Sequence, residues 1–323
     1  MKISERQSQA LWNLKGFAVI AIVACHCCHV SENASWLNNI AVQFFDYWIS
    51  FGVPIFCFVA GYFFKKGKNI TSFLLKKVKT IIIPWIFTGT IVWLYIVLRK
   101  GGIGLENWFN YLFMKESYLY FLNDLLLFYL LFYAILGRPK RIKICNYLMA
   151  FIIAMAEIFE VTVLLNYSPG NGLPVANLLM FYMGIVFRER NILRFFEKSF
   201  YSYLVVGFVL LRYIEFYYSV EYNLLIKTVE GLILVIGLYS FCFWMTKKHI
   251  ACLKVIGKYS FAIYLLHMPA AGLISNILNR SESFAILTFF RPIIVVLITF
   301  GLIKVYEIIT MDRKNLRILV GLR

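Results

Sequence analysis

The 323-residue chain is 61% hydrophobic and 18% aromatic, with a mean hydropathy of +0.76. Soluble domains hold about 45–50% apolar residues, so this excess needs an apolar solvent and excludes an ordinary soluble enzyme. Lys and Arg (33) outnumber Asp and Glu (16), and in a chain this greasy the resulting +17 reads as basic cytoplasmic loops, with no nucleic-acid partner.

A membrane helix needs roughly 20 mostly apolar residues. Such runs fall at 13–30, 44–64, 80–98, 117–136, 146–165, 173–187, 200–218, 226–245, 258–278 and 285–308. They predict an all-α, polytopic bundle of about ten transmembrane helices, one membrane domain over 1–323. The basic start and apolar run at 1–30 lack a small-residue cleavage site, so they read as the first span and not as a signal peptide. With the N-terminus inside, the alternate connecting segments carry 24 basic residues against 5 on the opposite side. That asymmetry places both termini in the cytoplasm. The seven cysteines avoid the outer loops, so no disulfide framework is expected.

Ionisable groups at membrane depth are costly and default to functional candidates. In the first span, Lys15 sits at the inner end and His26 lies eleven residues on, about 16 Å up the axis. The second span contains Asp46. Lys76, Lys77 and Lys79 stand at the inner entrance to the third, ahead of Pro84-Trp85. Such lysines either sit on anionic lipid or form a mouth for a phosphate-bearing ligand. Asp124 follows in the fourth span. Glu157 and Glu160 in the fifth share one helix face. Arg212, Glu215 and Glu230 lie in the seventh and eighth, His267 near the middle of the ninth, and Arg291 in the tenth. Most tend to the outer half and predict a polar cavity opening outward, with interhelical ion pairs as the alternative for several. A buried imidazole needs a partner or water, so His26 and His267 also have structural readings. The run Cys25-His26-Cys27-Cys28-His29 puts only His26 and His29 on one face, and no metal site is expected.

Four stretches occur in a meaningful order. They are Leu14-Lys15-Gly16 followed by His26; Gly52-Val53-Pro54-Ile55-Phe56-Cys57-Phe58-Val59-Ala60-Gly61-Tyr62; the lysine-rich entry to Pro84-Trp85; and Ile256-Gly257 through Tyr264 and His267. Together they resemble the acyltransferase-3 family of integral membrane acyltransferases, most of all its bacterial O-acetyltransferase branch acting on cell-surface sugars. Tyr120-Phe121-Leu122 and Phe181-Tyr182-Met183-Gly184 are weaker echoes. Lys15 stands where many members have arginine, and Ala60 where the family usually has serine.

The resemblance implies a membrane O-acyltransferase in the bacterial inner membrane. It would take an acyl group, acetyl first among candidates, from cytoplasmic acyl-CoA to a hydroxyl of an extracytoplasmic or lipid-linked glycan. His26 and Lys15 would be catalytic; Lys15, Lys76, Lys77 and Lys79 would meet the CoA phosphates. Asp124, Glu157, Glu160 and Arg291 are candidates to orient the imidazole or bind the acceptor, and Tyr264 and His267 are structural or site candidates. Acyl-CoA is the donor substrate and no metal is involved; membrane lipids surround the chain, and a homodimer stays open. The rival reading is a transporter or flippase for an anionic or sugar-bearing substrate; the lack of paired broken helices and of internal pseudo-symmetry in the sequence weighs against it. A membrane module of a racemase fusion is a further rival, although no soluble domain follows the tenth span.

Overall fold

The computed structural model describes residues 3–27, 36–67, 69–100, 104–113, 117–136, 147, 175–218, 224–248, 252–278, 289–311 and 313–322. Among them the architecture is all-α. The helices are α1 (Glu5–Cys27), α2 (Trp36–Gln43), α3 (Gly52–Tyr62), α4 (Ile70–Lys77), α5 (Ile83–Lys100), α6 (Leu105–Phe113) and α7 (Tyr120–Ile135). Then come α8 (Val175–Glu189), α9 (Leu204–Tyr218), α10 (Leu224–Lys247), α11 (Cys252–Leu278), α12 (Arg291–Ile309) and α13 (Lys314–Leu319).

Among the described residues, five stretches are long and apolar enough to cross a membrane: Glu5–Cys27, Ile70–Leu98, Ser199–Tyr218, Ile226–Lys247 and Arg291–Ile309. Gly52–Tyr62 and Tyr120–Ile135 are shorter apolar helices. On α9 and α12 the exposed residues include Val209, Leu210, Ile214, Ile293, Leu297 and Leu302. Apolar faces of this kind suit lipid, and helices satisfy their own backbone bonds there. Of the predicted span 146–165 only residue 147 is described, and Glu157 and Glu160 lie outside the described residues.

Element ends differ from the apolar runs for local reasons. α1 begins at Glu5 and not near 13, because Ser4 and Gln7 form a reciprocal capping box, each backbone amide donating to the other's side chain at 3.1 Å. The second predicted span is broken: a π-helical turn at Phe44–Trp48 precedes α3, which starts afresh at Gly52. Pro54 cannot donate backward to the carbonyl of residue 50, so it is tolerated only in the first turn of a new helix. Ahead of Pro84 the chain again takes a π-helical turn, Val78–Ile82, as helices do where the regular ladder is interrupted.

The chain divides into two compact units. The first comprises Pro54–Lys68 and Asp124–Trp244; the second comprises Ile3–Val53, Asn69–Asn123 and Met245–Arg323. Each is held by a reciprocal glycine contact. In the first, a Cβ on Gly61 would overlap the Phe181 carbonyl and one on Gly184 would overlap that of Phe58, so α3 and α8 meet backbone to backbone. In the second, a Cβ on Gly257 would overlap the Trp12 carbonyl, and one on Gly16 would lie 2.6 Å from the Leu253 carbonyl. α1 and α11 therefore run closely packed, the small-residue mode by which membrane helices associate.

The second unit is also tied at α12 and α13. Glu307 accepts from Tyr259 at 2.6 Å, from Lys304 at 2.6 Å and from Arg317 at 2.5 Å. Arg317 thereby fastens the short C-terminal helix α13 to α12, and Tyr306 adds a bond to the Leu316 carbonyl at 2.7 Å.

Candidate active site

The close packing of α1 on α11 brings His26 beside His267. Their ring centroids are 5.2 Å apart, edge to face. Tyr118 touches both, at 6.0 Å from His26 and 5.0 Å from His267, and Tyr264 lies 5.7 Å from Tyr118. All four residues belong to the second unit. His26 is half-buried, whereas His267 is 0% exposed and Tyr264 2%. Of the residues expected from sequence, His26, Tyr264 and His267 are thus gathered in one cluster.

The histidine tautomers follow from their backbone partners. His26 Nδ1 is 2.7 Å from the Ile22 carbonyl oxygen, and His267 Nδ1 is 2.7 Å from that of Tyr264. A carbonyl only accepts, so each Nδ1 carries the hydrogen and donates it. In the neutral ring Nε2 then keeps its lone pair. Both imidazoles present a basic Nε2, and that of His267 is buried without a hydrogen-bond partner among the described residues.

Tyr118 was not singled out by sequence reasoning. It sits just ahead of α7, in a turn closed by two bonds: Leu119 N–H donates to Ser117 Oγ at 3.2 Å, and Asn123 Nδ2 donates to the Phe113 carbonyl at 2.8 Å. The Tyr118 hydroxyl donates to the Leu265 carbonyl at 2.6 Å, and the Tyr264 hydroxyl donates back to the Tyr118 carbonyl. A Ser-x-x-x-x-x-Asn turn with a tyrosine inside is a weak signal, and nothing in the linear pattern links it to a helix almost 150 residues away.

The other expected residues fall elsewhere. Lys15 lies on α1, with its ammonium 5.0 Å from the Trp12 ring. At about 100° per residue, eleven residues bring it back to the face of α1 that carries His26. Lys76 and Lys79 are exposed at the start of the long helical stretch leading into α5, and Lys77 lies 5.3 Å over the Phe73 ring. Arg291 is buried at the first residue of α12, in the same unit as the histidines. Asp124 is half-buried on α7 and belongs to the first unit.

Arg212, Glu215 and Glu230 take the ion-pair alternative. Glu215 accepts from Arg212 at 2.8 Å and from Lys227 at 2.7 Å; Glu230 lies 3.3 Å from Lys227 and 3.6 Å from Arg212. Two acids and two bases neutralise one another between α9 and α10. No group of three or more potential metal ligands occurs among the described residues.

No curated protein and no solved structure matches the chain. A family model described as an acyltransferase domain, acyltransferase 3, matches residues 9–305. The matched region begins in α1 ahead of Lys15 and ends in α12, so it takes in every residue of the histidine–tyrosine cluster. Together with several apolar helices of membrane-crossing length among the described residues, this match means that the chain belongs to the acyltransferase-3 family, as a membrane acyltransferase.

Proposed function

We propose that the protein is an acyl-CoA-dependent O-acyltransferase, with acetyl as the group carried. Its acceptor is a hydroxyl of an extracytoplasmic or lipid-linked cell-surface glycan. It works as a ten-span protein of the bacterial inner membrane, with both termini in the cytoplasm. The observation that carries this reading is the His26 tautomer: with Nδ1–H donating to the Ile22 carbonyl, the lone pair of the neutral ring is on Nε2. That lone pair can take a proton from an attacking hydroxyl or attack the thioester itself.

In this reading Lys15, Lys76, Lys77 and Lys79 meet the CoA phosphates from the cytoplasmic side. The pantetheine arm brings the thioester to His26, which a glycan hydroxyl reaches from outside. Asp124, Glu157, Glu160 and Arg291 are offered as groups that orient the imidazole or bind the acceptor. Whichever chemistry His26 performs, the acyl carbon leaves sulfur for oxygen, and the thiolate gains a proton as the hydroxyl loses one.

The test is titration of protein in nanodiscs with acetyl-CoA and with CoA, for wild type and His26→Ala, following thermal shift and thioester loss. Ligand binding to the folded state raises apparent stability. Binding by both proteins with thioester loss only in wild type supports the assignment. A folded protein that binds neither CoA species is no CoA-dependent enzyme, and the carrier reading takes its place.

A further inference from the structure

Resting on that acyltransferase reading, we infer that transfer runs by double displacement, with His26 as the nucleophile and His267 as the base of the second half-reaction. Both imidazoles spend Nδ1–H on a backbone carbonyl at 2.7 Å and keep Nε2 basic. His267 is fully buried, and its Nε2 has no partner among the described residues. Leaving a buried acceptor unpaired is unfavourable. The lone pair on His267 Nε2 is thus left able to accept a proton. The lone pair stands one ring contact, 5.2 Å between centroids, from the ring that meets the thioester.

A single-step transfer needs one lone pair. The same Nε2 takes the hydroxyl proton and returns it to the departing sulfur, and a second basic nitrogen has no task. In a double displacement the count is two. His26 Nε2 attacks the thioester carbonyl, the new N–C bond forms, and the C–S bond breaks with its electron pair leaving on the CoA thiolate. The acylated His26 has no base left, since its Nδ1–H faces the Ile22 carbonyl. As the acceptor oxygen attacks the acyl carbon, His267 Nε2 takes the hydroxyl proton. The C–N bond breaks, its electron pair returns to His26 Nε2, and His267 releases its proton to water, which balances the proton that the departed thiolate took from water. Donor and acceptor then need never occupy the site together, which suits substrates arriving from opposite sides of a membrane.

The experiment uses full-length protein in nanodiscs with acetyl-CoA and no acceptor, reading free thiol and intact mass. Wild type should release about one equivalent of CoA in a burst and carry one acetyl group on the peptide containing His26; His26→Ala should do neither. His267→Asn keeps an amide N–H for the Tyr264 carbonyl and lacks Nε2. At a wild-type melting temperature it should acetylate to the same extent and then hold the acetyl group. Glycerol, a probe hydroxyl that needs a base, should discharge it roughly a hundredfold more slowly than wild type. Hydroxylamine, nucleophilic without one, should clear both proteins alike. Glycerol discharging His267→Asn as fast as wild type would overturn the assignment of His267. Thiol release by wild type only when a membrane glycan extract is added, with no acetyl on the protein, overturns double displacement and leaves the acyltransferase reading standing. No thiol release under either condition removes both.

Discussion

The Tyr118 hydroxyl occupies the place of the amide hydrogen that Pro269 lacks. In α11 the Leu265 carbonyl would accept from the backbone N–H four residues on, and that residue is Pro269. The carbonyl of a fully buried residue would be left without a donor; Tyr118 supplies one at 2.6 Å. His267 lies between Leu265 and Pro269, within the interrupted turn. The proline therefore opens the backbone beside the imidazole, and the tyrosine closes it while its ring packs on both histidines.

Tyr118→Phe keeps the ring and removes that bond. The expected cost is about 1–3 kcal/mol, because a buried carbonyl is left unsatisfied. The melting temperature should fall, and the acyl-transfer rate should fall with it while the KM for acetyl-CoA stays near wild type. A variant with wild-type melting and rate would mean that Leu265 finds another donor and that the tyrosine does not set the geometry of the site.

Gly257→Ala puts a methyl group into the Trp12 carbonyl, and neither side of that contact is a flexible side chain. Overpacking of this kind costs about 1–3 kcal/mol, and separating α1 from α11 should also lower activity by pulling His26 from His267. Gly207→Ala on α9 is the control: nothing lies within 4 Å of its Cβ position. It should be neutral or stabilise by up to about 1 kcal/mol through helix propensity. Thermal melts of both variants in one detergent decide the comparison.

Glu230→Gln leaves two bases facing one acid in a network where Arg212 is 7% and Glu230 3% exposed. Breaking a buried charge network by removing one partner costs roughly 3–5 kcal/mol. Replacing Arg212 and Glu230 together by leucine preserves neutrality through Lys227 and Glu215, so the double variant should be more stable than the single. A larger loss in the double variant than in the single would show that the side chains act independently.

Replacing Lys76, Lys77 and Lys79 together by alanine tests the proposed CoA mouth. These lysines are largely solvated, so each contributes modestly. The KM for acetyl-CoA should rise roughly tenfold with kcat unchanged, and the dependence of KM on salt should flatten. An unaltered KM and salt response would return these residues to a lipid-facing role.

Much of the candidate site was legible in the chain. His26, Tyr264 and His267 were visible as polar or hydroxyl groups at membrane depth and as parts of family-like stretches. The glycines beside them, Gly16 and Gly257, carried a packing meaning that appears only once α1 and α11 are side by side. Gly61 and Gly184 are similar: read as motif letters, they prove to be the contact of α3 with α8. The ends of α1 could have been found from Ser4-x-x-Gln7, whose capping needs only local geometry. The break before Gly52 could have been suspected from Pro54, had the continuous apolar run not outweighed it.

Composition and periodicity by themselves determined the apolar solvent and the helical class, because these depend on summed transfer free energies along the chain. The residue types of the site were fixed there too. Which imidazole meets which, that both keep a basic Nε2, and that Tyr118 completes the cluster were decided only in the tertiary structure. Those properties depend on ångström-scale contacts between α1, α11 and the turn before α7, between residues far apart in sequence, and no local pattern encodes a distance of that kind.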